Sequence, residues 1–215
     1  MSRRRWQAPV PLHSMDMAGR RSLSRRTMLE ATLAAGGLAL IDWPPVSARS
    51  VPLTPACHDE HDAMTLSVTE GPYYRPHSPL RGNFIDPSSE GHRITLAGRV
   101  LTTACRPVVK VLLDLWHADQ NGEYDNSGFR YRGHLFSDAE GHFEFHTIVP
   151  AVYPGRTRHF HLKVQPPDRP VLTTQLFFPG EPRNRVDPLF RAQLLMSIRD
   201  TPELMSASFE FVVDA

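Results

Sequence analysis

The chain of 215 residues lacks the signatures of several large function classes. Its two cysteines lie far apart in sequence, which argues against a thiolate metal cluster. It has no phosphate-binding P-loop and no G-x-G-x-x-G segment after a strand. No apolar run is long enough to span a bilayer. The formal net charge of +1 provides no overall attraction to nucleic acid. The 20 prolines argue against a helical bundle, while a hydrophobic content of 40% is enough for a packed core.

The basic residues are concentrated at the start of the chain. Residues 1–48 hold seven arginines against three acidic residues, so the remainder is mildly acidic. Arg25-Arg26 is followed by the apolar stretch Ala31–Ile41 and by Val46-Ser47-Ala48, a small-x-small cleavage pattern. This segment resembles a twin-arginine export signal. It predicts a periplasmic or secreted protein that is exported folded, with any metal or cofactor already captured and with no membrane span in the mature form.

Short β runs separated by turn residues organise the rest of the chain. Residues 49–91 are rich in proline, glycine and serine and predict an N-terminal strap, and residues 92–215 predict the main β domain. Seven strands at this spacing are typical of an open barrel or a sandwich, and we expect an all-β antiparallel β-sandwich. The predicted strands are Ile94–Leu101, Val108–Trp116, His134–Ser137, His142–Ile148, Arg158–Gln165, Thr173–Phe178 and Ser208–Val213.

Three further features of the domain carry expectations. Leu189–Ile198, opened by Asp187-Pro188, predicts one short C-terminal helix. Cys57 and Cys105 could form a disulfide that ties the strap to the sheet, with two buried free thiols as the alternative. Four histidines are expected at the surface or at strand rims, namely His117, His134, His142 and His146.

One predicted strand carries two histidines on the same face. Side chains alternate along a strand, so Phe160, Leu162 and Val164 face one side, whereas His159 and His161 face the other together with Lys163. Imidazoles at this spacing lie within reach of one metal ion, although two solvated surface histidines would show the same pattern.

Two tyrosines accompany these histidines in sequence. Tyr153 lies in a loop rich in proline and glycine that leads into the histidine strand, and Tyr124 follows an apolar strand and an Asn-Gly turn. A free phenol titrates near pH 10, so only a strongly Lewis-acidic centre would hold a phenolate at neutral pH. Two phenols and two imidazoles therefore suit Fe(III) or Cu(II).

Four segments together resemble the intradiol ring-cleavage dioxygenases, the family of catechol and protocatechuate dioxygenases. They stand in the family's order and cover roughly residues 65–182, with Y-P-G-R-x-x-H-x-H intact. The segments are Thr69–Tyr74, Trp116–Tyr124, Tyr153–His161 and Thr174–Gly180.

The resemblance implies a non-haem Fe(III) enzyme that cleaves a small aromatic diol with O2 to a cis,cis-muconate. Tyr124, Tyr153, His159 and His161 would be the metal ligands. Tyr153 is the ligand that the substrate displaces, Arg156 neighbours the substrate, Gln175 supports Arg156, and Tyr73 helps line the pocket. Arg75, Arg130 and Arg132 are candidates to bind a ring carboxylate, and the oligomeric state is open.

Two other functions fit part of the pattern. A copper oxidase would also use tyrosines and histidines, and it would need a cysteine close to one of the tyrosines. A non-catalytic β-sandwich that binds an aromatic or carbohydrate ligand beside a vestigial metal site should lack one of the ligands or the arginine.

Overall fold

The computed structural model describes residues 64–201 and 205–215. The segment with the twin-arginine pattern lies outside these residues, so the export route stays a prediction. The chain divides into two units, Met1–Arg49 and Ser50–Ala215, and all the described residues belong to the second. No helix among the described residues meets the length and hydropathy of a membrane span.

The described residues form two four-stranded sheets. Their strands are β1 (Arg93–Thr102), β2 (Leu112–Trp116), β3 (Arg132–Phe136), β4 (His142–Ile148), β5 (His159–Gln165), β6 (Leu172–Phe177), β7 (Ser197–Asp200) and β8 (Met205–Val213). One sheet has the order β4-β1-β8-β7 and the other β3-β2-β5-β6. The predicted all-β sandwich is confirmed, with one difference in pairing, since β1 runs parallel to β8 rather than antiparallel.

Alternating side chains build the core between the sheets. In β4, Phe143 and Phe145 are buried while His142, Glu144 and His146 are exposed, as the period of two predicts. In β5 the buried core residues are Phe160, Leu162 and Val164, and they pack in one cluster with residues of the opposite sheet. The other face of β5 is thereby left for the histidines.

The prediction of a helix over Leu189–Ile198 is wrong. Only a single 3-10 turn forms there, Ala192–Leu194, and the chain continues into β7. The amide of Met196 donates to the carbonyl of Phe177 at 3.0 Å, and β7 pairs with the edge of β8. Because the sheet edge satisfies these backbone groups and the burial alternates, with Leu194 and Met196 inside, extended structure is favoured over a helix.

The described part of the strap lies across the sheet β3-β2-β5-β6 and reaches the other sheet. Backbone hydrogen bonds attach it along its length, including Val68 to Thr173 at 2.9 Å, Arg81 to His134 at 2.8 Å and Phe84 to His146 at 2.8 Å. Isolated bridges pair Leu80 with His134 and Asn83 with His146. The strap therefore covers the sheet face that carries the β5 histidines.

Cys105 is disulfide-bonded, which excludes a free thiol at this position. Cys57 lies outside the described residues, so its bridge to Cys105 stays a prediction.

His117 is a core residue, which corrects its expected position at the surface. It is 1% exposed, its Nδ1 lies 2.7 Å from the carbonyl of Ala118, and its Nε2 lies 2.6 Å from the hydroxyl of Thr147. Both ring nitrogens thus have a hydrogen-bond partner when the imidazole is neutral: Nδ1–H donates to the Ala118 carbonyl, and Nε2 accepts from the Thr147 hydroxyl. Burial lowers the pKa of His117 from 6.5 to about 4.

This histidine should make stability fall as the solution is acidified. Between pH 6.5 and about 4 the unfolded chain binds a proton at this position and the folded chain does not. The free energy of unfolding should therefore lose up to about 1.4 kcal/mol per pH unit for each such buried histidine. Urea unfolding of metal-free protein across this range should show a shallower pH slope for His117→Gln than for the wild type. Equal slopes would contradict the buried neutral imidazole.

Candidate metal centre

Strand β5 presents two imidazoles to the space beneath the strap. His159 and His161 are each 4% exposed, and their Nε2 atoms lie 3.0 Å apart. The strand alternates between the core and this covered face, so both rings leave it in the same direction. The ring of Trp116 on the neighbouring strand stacks against that of His161, with centroids 4.9 Å apart and an angle of 9° between the planes.

The contacts of His159 define its tautomer. Its Nδ1 lies 2.6 Å from the carbonyl of Thr157 and must therefore carry the proton, which leaves a lone pair on Nε2. Burial lowers the pKa of His159 to about 4 and lowers that of His161 well below its usual value. Both rings are thus neutral, which is the form in which imidazole binds a metal.

A turn after β2 brings Tyr124 to these rings. The hydroxyl of Tyr124 lies 3.1 Å from Nε2 of His161. Asp119, which is 2% exposed, holds the turn because its Oδ1 accepts the backbone N–H groups of Asn121 and Glu123 at 2.8 and 3.0 Å. Burial raises the pKa of the Tyr124 phenol, and the guanidinium groups of Arg156 and then Arg132 oppose part of that rise.

The loop of Tyr153 packs directly on the same turn. The amide of Ala151 donates to the carbonyl of Asp119 at 2.9 Å. A Cβ atom on Gly122, where φ is +84°, would lie 2.7 Å from the carbonyl oxygen of Val152, so glycine allows this close approach. The Tyr153 and Tyr124 rings meet edge to face at 5.9 Å between centroids.

Tyr73 of the strap completes the aromatic cluster. Its hydroxyl lies 2.8 Å from that of Tyr153, and its ring stacks on that of Tyr124 at 4.5 Å between centroids. The hydrogen bond with Tyr153 raises the pKa of Tyr73. The structure thus brings together the four predicted ligands and the predicted pocket residue, which the sequence separates by up to 88 positions.

The donor atoms of this cluster fit a bound metal cation. The lone pair of His159 Nε2 points toward Nε2 of His161, an arrangement that needs a shared proton or a cation between the two atoms. Two phenols are added to these imidazoles, and phenolate oxygen is a hard ligand. The ligand roles of these residues remain a proposal based on this geometry.

A hydrogen-bonded chain leads from the strap to Arg156. The carboxylate of Asp187 accepts Nε of Arg156 at 2.9 Å, and Nη2 of Arg156 donates to Oε1 of Gln175 at 2.6 Å. Gln175 in turn donates to the carbonyl of Thr69 at 2.8 Å. Gln175 is thus bonded both to Arg156 and to the strap, and its predicted support of Arg156 in the reaction stays a prediction.

The sequence analysis missed the role of Asp187. Its side chain is fully buried and also accepts the backbone N–H groups of Thr157 and Leu189, at 2.8 and 2.9 Å. Burial alone would raise the pKa of this carboxyl, but these backbone bonds and Arg156 lower it overall. The Asp-Pro pair was interpreted only as a helix start, and its 31-residue separation from Arg156 contained no signal of the contact.

The three arginines considered for a ring carboxylate are all bonded within the chain. Arg75 donates to the carbonyl of Gly128 at 3.0 Å, and Arg130 pairs with Asp119 at 2.6 Å. Arg132 is 1% exposed and donates to the carbonyls of Tyr73 and Asp125. Their contacts stabilise the walls around the centre.

A second group of candidate ligands lies on the hairpin turn before β4. Asp138, Glu140 and His142 are all exposed. Oδ1 of Asp138 accepts the backbone N–H groups of Glu140 and His142 at 3.0 and 2.7 Å, so this carboxylate has a structural function in the turn.

Comparisons with known proteins agree on one family. The family model described as "Dioxygenase" matches residues 69–215. The solved dioxygenase domain of a dioxygenase carbohydrate-binding protein fusion from Streptomyces sp. SirexAA-E is 51% identical, with a TM-score of 0.69, over 71% of this chain and 99% of that chain. The 3-chlorocatechol 1,2-dioxygenase of Rhodococcus opacus 1CP is 27% identical, with a TM-score of 0.66, over 71% of this chain and 73% of that chain.

Curated relatives carry related names. The protocatechuate 3,4-dioxygenase beta chain of Burkholderia cepacia is 33% identical over 47% of this chain and 51% of its own length. Catechol 1,2-dioxygenase 2 of Acinetobacter lwoffii is 30% identical over 55% of this chain and 52% of its own length. The chain thus spans about half the length of the curated relatives it matches.

Removal of one imidazole should abolish metal retention. We expect His161→Ala to retain less than about a tenth of the wild-type metal content, because one donor of a buried site is lost and its cavity is left polar. His134→Ala is the matched control, since His134 lies on the same sheet with Ser78 as its partner. Mass spectrometry of the metals in purified protein measures this. Unchanged metal in His161→Ala would show that the ligand set is wrong.

Proposed function

Because the chain belongs to the intradiol ring-cleavage dioxygenase family, we propose that it is a non-haem Fe(III) enzyme acting on a catechol-type diol. It would cleave the ring with O2 between the two hydroxylated carbons and yield a cis,cis-muconate. The observation that carries the proposal is the convergence of two phenols and two neutral imidazoles beside an oriented arginine.

In this proposal Tyr124, Tyr153, His159 and His161 hold the iron. Ferric iron, when bound, supplies the Lewis acidity that ionises phenols and makes a chelated catechol reactive toward O2. Burial keeps both imidazoles unprotonated, so their nitrogens are available at neutral pH. The stack of Trp116 on His161 restricts rotation of that ring.

Tyr153 is the residue best placed to handle a proton. A catechol that binds through both oxygens must give up two protons, and the Tyr153 oxygen in its deprotonated form would be a base able to accept one of them. The hydroxyl of Tyr153 already lies 2.8 Å from that of Tyr73, which can hold it by a hydrogen bond when it is neutral. The next two residues, Pro154 and Gly155, are exposed, and a Cβ atom on Gly155 would meet nothing within 4 Å, so this side of Tyr153 borders open space.

Arg156 would stabilise the negative charge that develops on the ring. Its Nε and Nη2 are engaged by Asp187 and Gln175, and Nη1 has no hydrogen bond to a described residue. The side chain is 15% exposed, so its charge acts in a partly dry environment. One such oriented donor is worth about 2.7–4 kcal/mol in the transition state of other enzymes.

The structure favours this reading over the two alternatives. A copper oxidase with a cysteine bonded to a tyrosine would need a reactive thiol, and Cys105 is disulfide-bonded. A vestigial binding module should lack a ligand or the arginine, and all of these residues are present and close together.

Oxygen consumption with a panel of diols tests the proposal. Purified wild-type protein should be red from tyrosinate-to-iron charge transfer. It should take up one O2 per ring cleaved when given catechol, hydroxyquinol, a chlorocatechol or protocatechuate. Muconate formation is followed by ultraviolet absorbance, with anaerobic mixtures as the control. Iron-replete protein that changes colour with catechol but consumes no O2 with any of them would refute the enzymatic function.

Asp187 should control turnover through Arg156. We expect Asp187→Asn to lower kcat by about 10- to 100-fold with unchanged iron content, because the neutral amide no longer holds the guanidinium as an ion pair. Glu181→Gln is the matched control, since Glu181 pairs with Arg158 at 3.0 Å two residues further along the chain. Steady-state kinetics normalised to bound iron measures the effect. Equal kcat values for both variants would exclude this role of Asp187.

A further inference from the structure

Arg132 has contacts that neither the sequence pattern nor the proposed chemistry explains. It begins β3, is 1% exposed, and donates from Nη1 to the carbonyl of Tyr73 at 2.6 Å. Its Nε donates to the carbonyl of Asp125, the residue after Tyr124, at 3.0 Å. One guanidinium thus connects the strap to the turn that carries a candidate ligand.

The same side chain lies beside the aromatic pair that these carbonyls flank. The guanidinium carbon is 6.0 Å from the centroid of the Tyr124 ring. The Tyr124 and Tyr73 rings stack with an angle of 14° between their planes. Arg132 contacts the backbone of Tyr73 and lies beside the ring of Tyr124. Arg132 therefore contacts both of the segments that carry the stacked tyrosines.

Tyr131, the residue before Arg132, has a strained backbone, and the arginines on either side of it both contact the turn that carries Tyr124. Tyr131 is 2% exposed and has φ of 53°, a left-handed conformation that bulky residues rarely adopt. Arg130 reaches Asp119 on one side of Tyr124, and Arg132 reaches Asp125 on the other side. The turn is therefore held at both ends.

The strap in turn supports the backbone from which Arg132 projects. Nε of Arg81 donates to the carbonyl of Arg132 at 3.2 Å, and Nη1 of Arg75 donates to that of Gly128 at 3.0 Å. A Cβ atom on Gly133 would lie 2.8 Å from the carbonyl oxygen of Arg81, so the two segments are in close contact. Arg132 has little freedom to leave its position.

Removing the Arg132 guanidinium from water costs free energy that an apolar side chain in the same place would not cost. Among the described residues no carboxylate forms an ion pair with Arg132, and its Nη2 is buried without a partner. An apolar residue of similar size would avoid this loss of hydration. A planar fork that bonds two carbonyls from separate segments at once is a property that arginine has and lysine lacks.

We propose that Arg132 is a positioning residue that fixes Tyr124 and Tyr73 as one rigid unit, against which Tyr153 is the tyrosine free to move. The inference rests on the proposed function, because it assigns Tyr124 the part of a permanent ligand and Tyr153 that of an exchangeable one. It adds a residue that bonds to backbone carbonyls on both sides of the centre and would act through them.

Arg132→Met and Arg132→Lys in the full-length protein test this inference. Hydrogen exchange of the amides of residues 73–75 and 124–127 in metal-free protein is the first measurement. The energy of the tyrosinate-to-iron band, and kcat and KM per bound iron, are the second. The matched control is Arg99→Gln, which breaks the pair with Glu210 on the other sheet.

We expect Arg132→Met to speed exchange in both segments, to shift the band, and to lower kcat about 10- to 100-fold with a smaller change in KM. Arg132→Lys should be intermediate, and the control should match the wild type in all three. Wild-type exchange, band and kcat in Arg132→Met, even with a lower melting temperature, would overturn the inference. If the wild-type protein consumes no O2, the proposed function fails, but hydrogen exchange in metal-free protein still tests the role of Arg132. Faster exchange in both segments of Arg132→Met would then support the rigid unit. Exchange at the wild-type rate in both segments would overturn it.

Discussion

Two neutral imidazoles that face each other from one strand are the arrangement on which the rest of the centre depends. Alternate residues of β5 are apolar and pack in the core between the sheets. The intervening histidines therefore point to the opposite face, which the strap covers. The strap removes water from that face, and desolvation then keeps both rings unprotonated. The nitrogens are therefore available as donors at neutral pH because the fold buries them.

The remaining functional groups arrive on loops and are held by backbone contacts. The turn of Tyr124 is organised by Asp119, and the loop of Tyr153 bonds to the carbonyl of that same aspartate. Arg156 is oriented by Asp187, whose carboxylate also accepts two backbone N–H groups. Loops positioned by a rigid sandwich can carry precise geometry when such bonds leave them few alternatives. The buried carboxylates of Asp119 and Asp187 each accept two backbone N–H groups and pair with an arginine, which offsets the cost of removing them from water.

Local patterns predicted the strands well and the chain between β6 and β8 poorly. The bounds of β4 are those expected, and the alternation in β5 assigned each side chain to the correct face. The segment Leu189–Ile198 has the start signal of a helix but forms a turn and a strand, because the free edge of β8 offers it hydrogen bonds. His117 was expected at the surface for a related reason, since only the packing of both sheets reveals its partner Thr147.

The sequence alone determined the all-β class, the face on which His159 and His161 lie, and the set of residues that could bind a metal. Those features depend on the period of two and on side-chain chemistry, which are local properties. Only the tertiary structure decided that Asp187 belongs to this centre, that Tyr73 bonds to Tyr153, and that Arg132 bonds to the backbone of Tyr73. Their contacts join segments 31 to 80 residues apart, and such pairings arise from the packing of the whole sandwich.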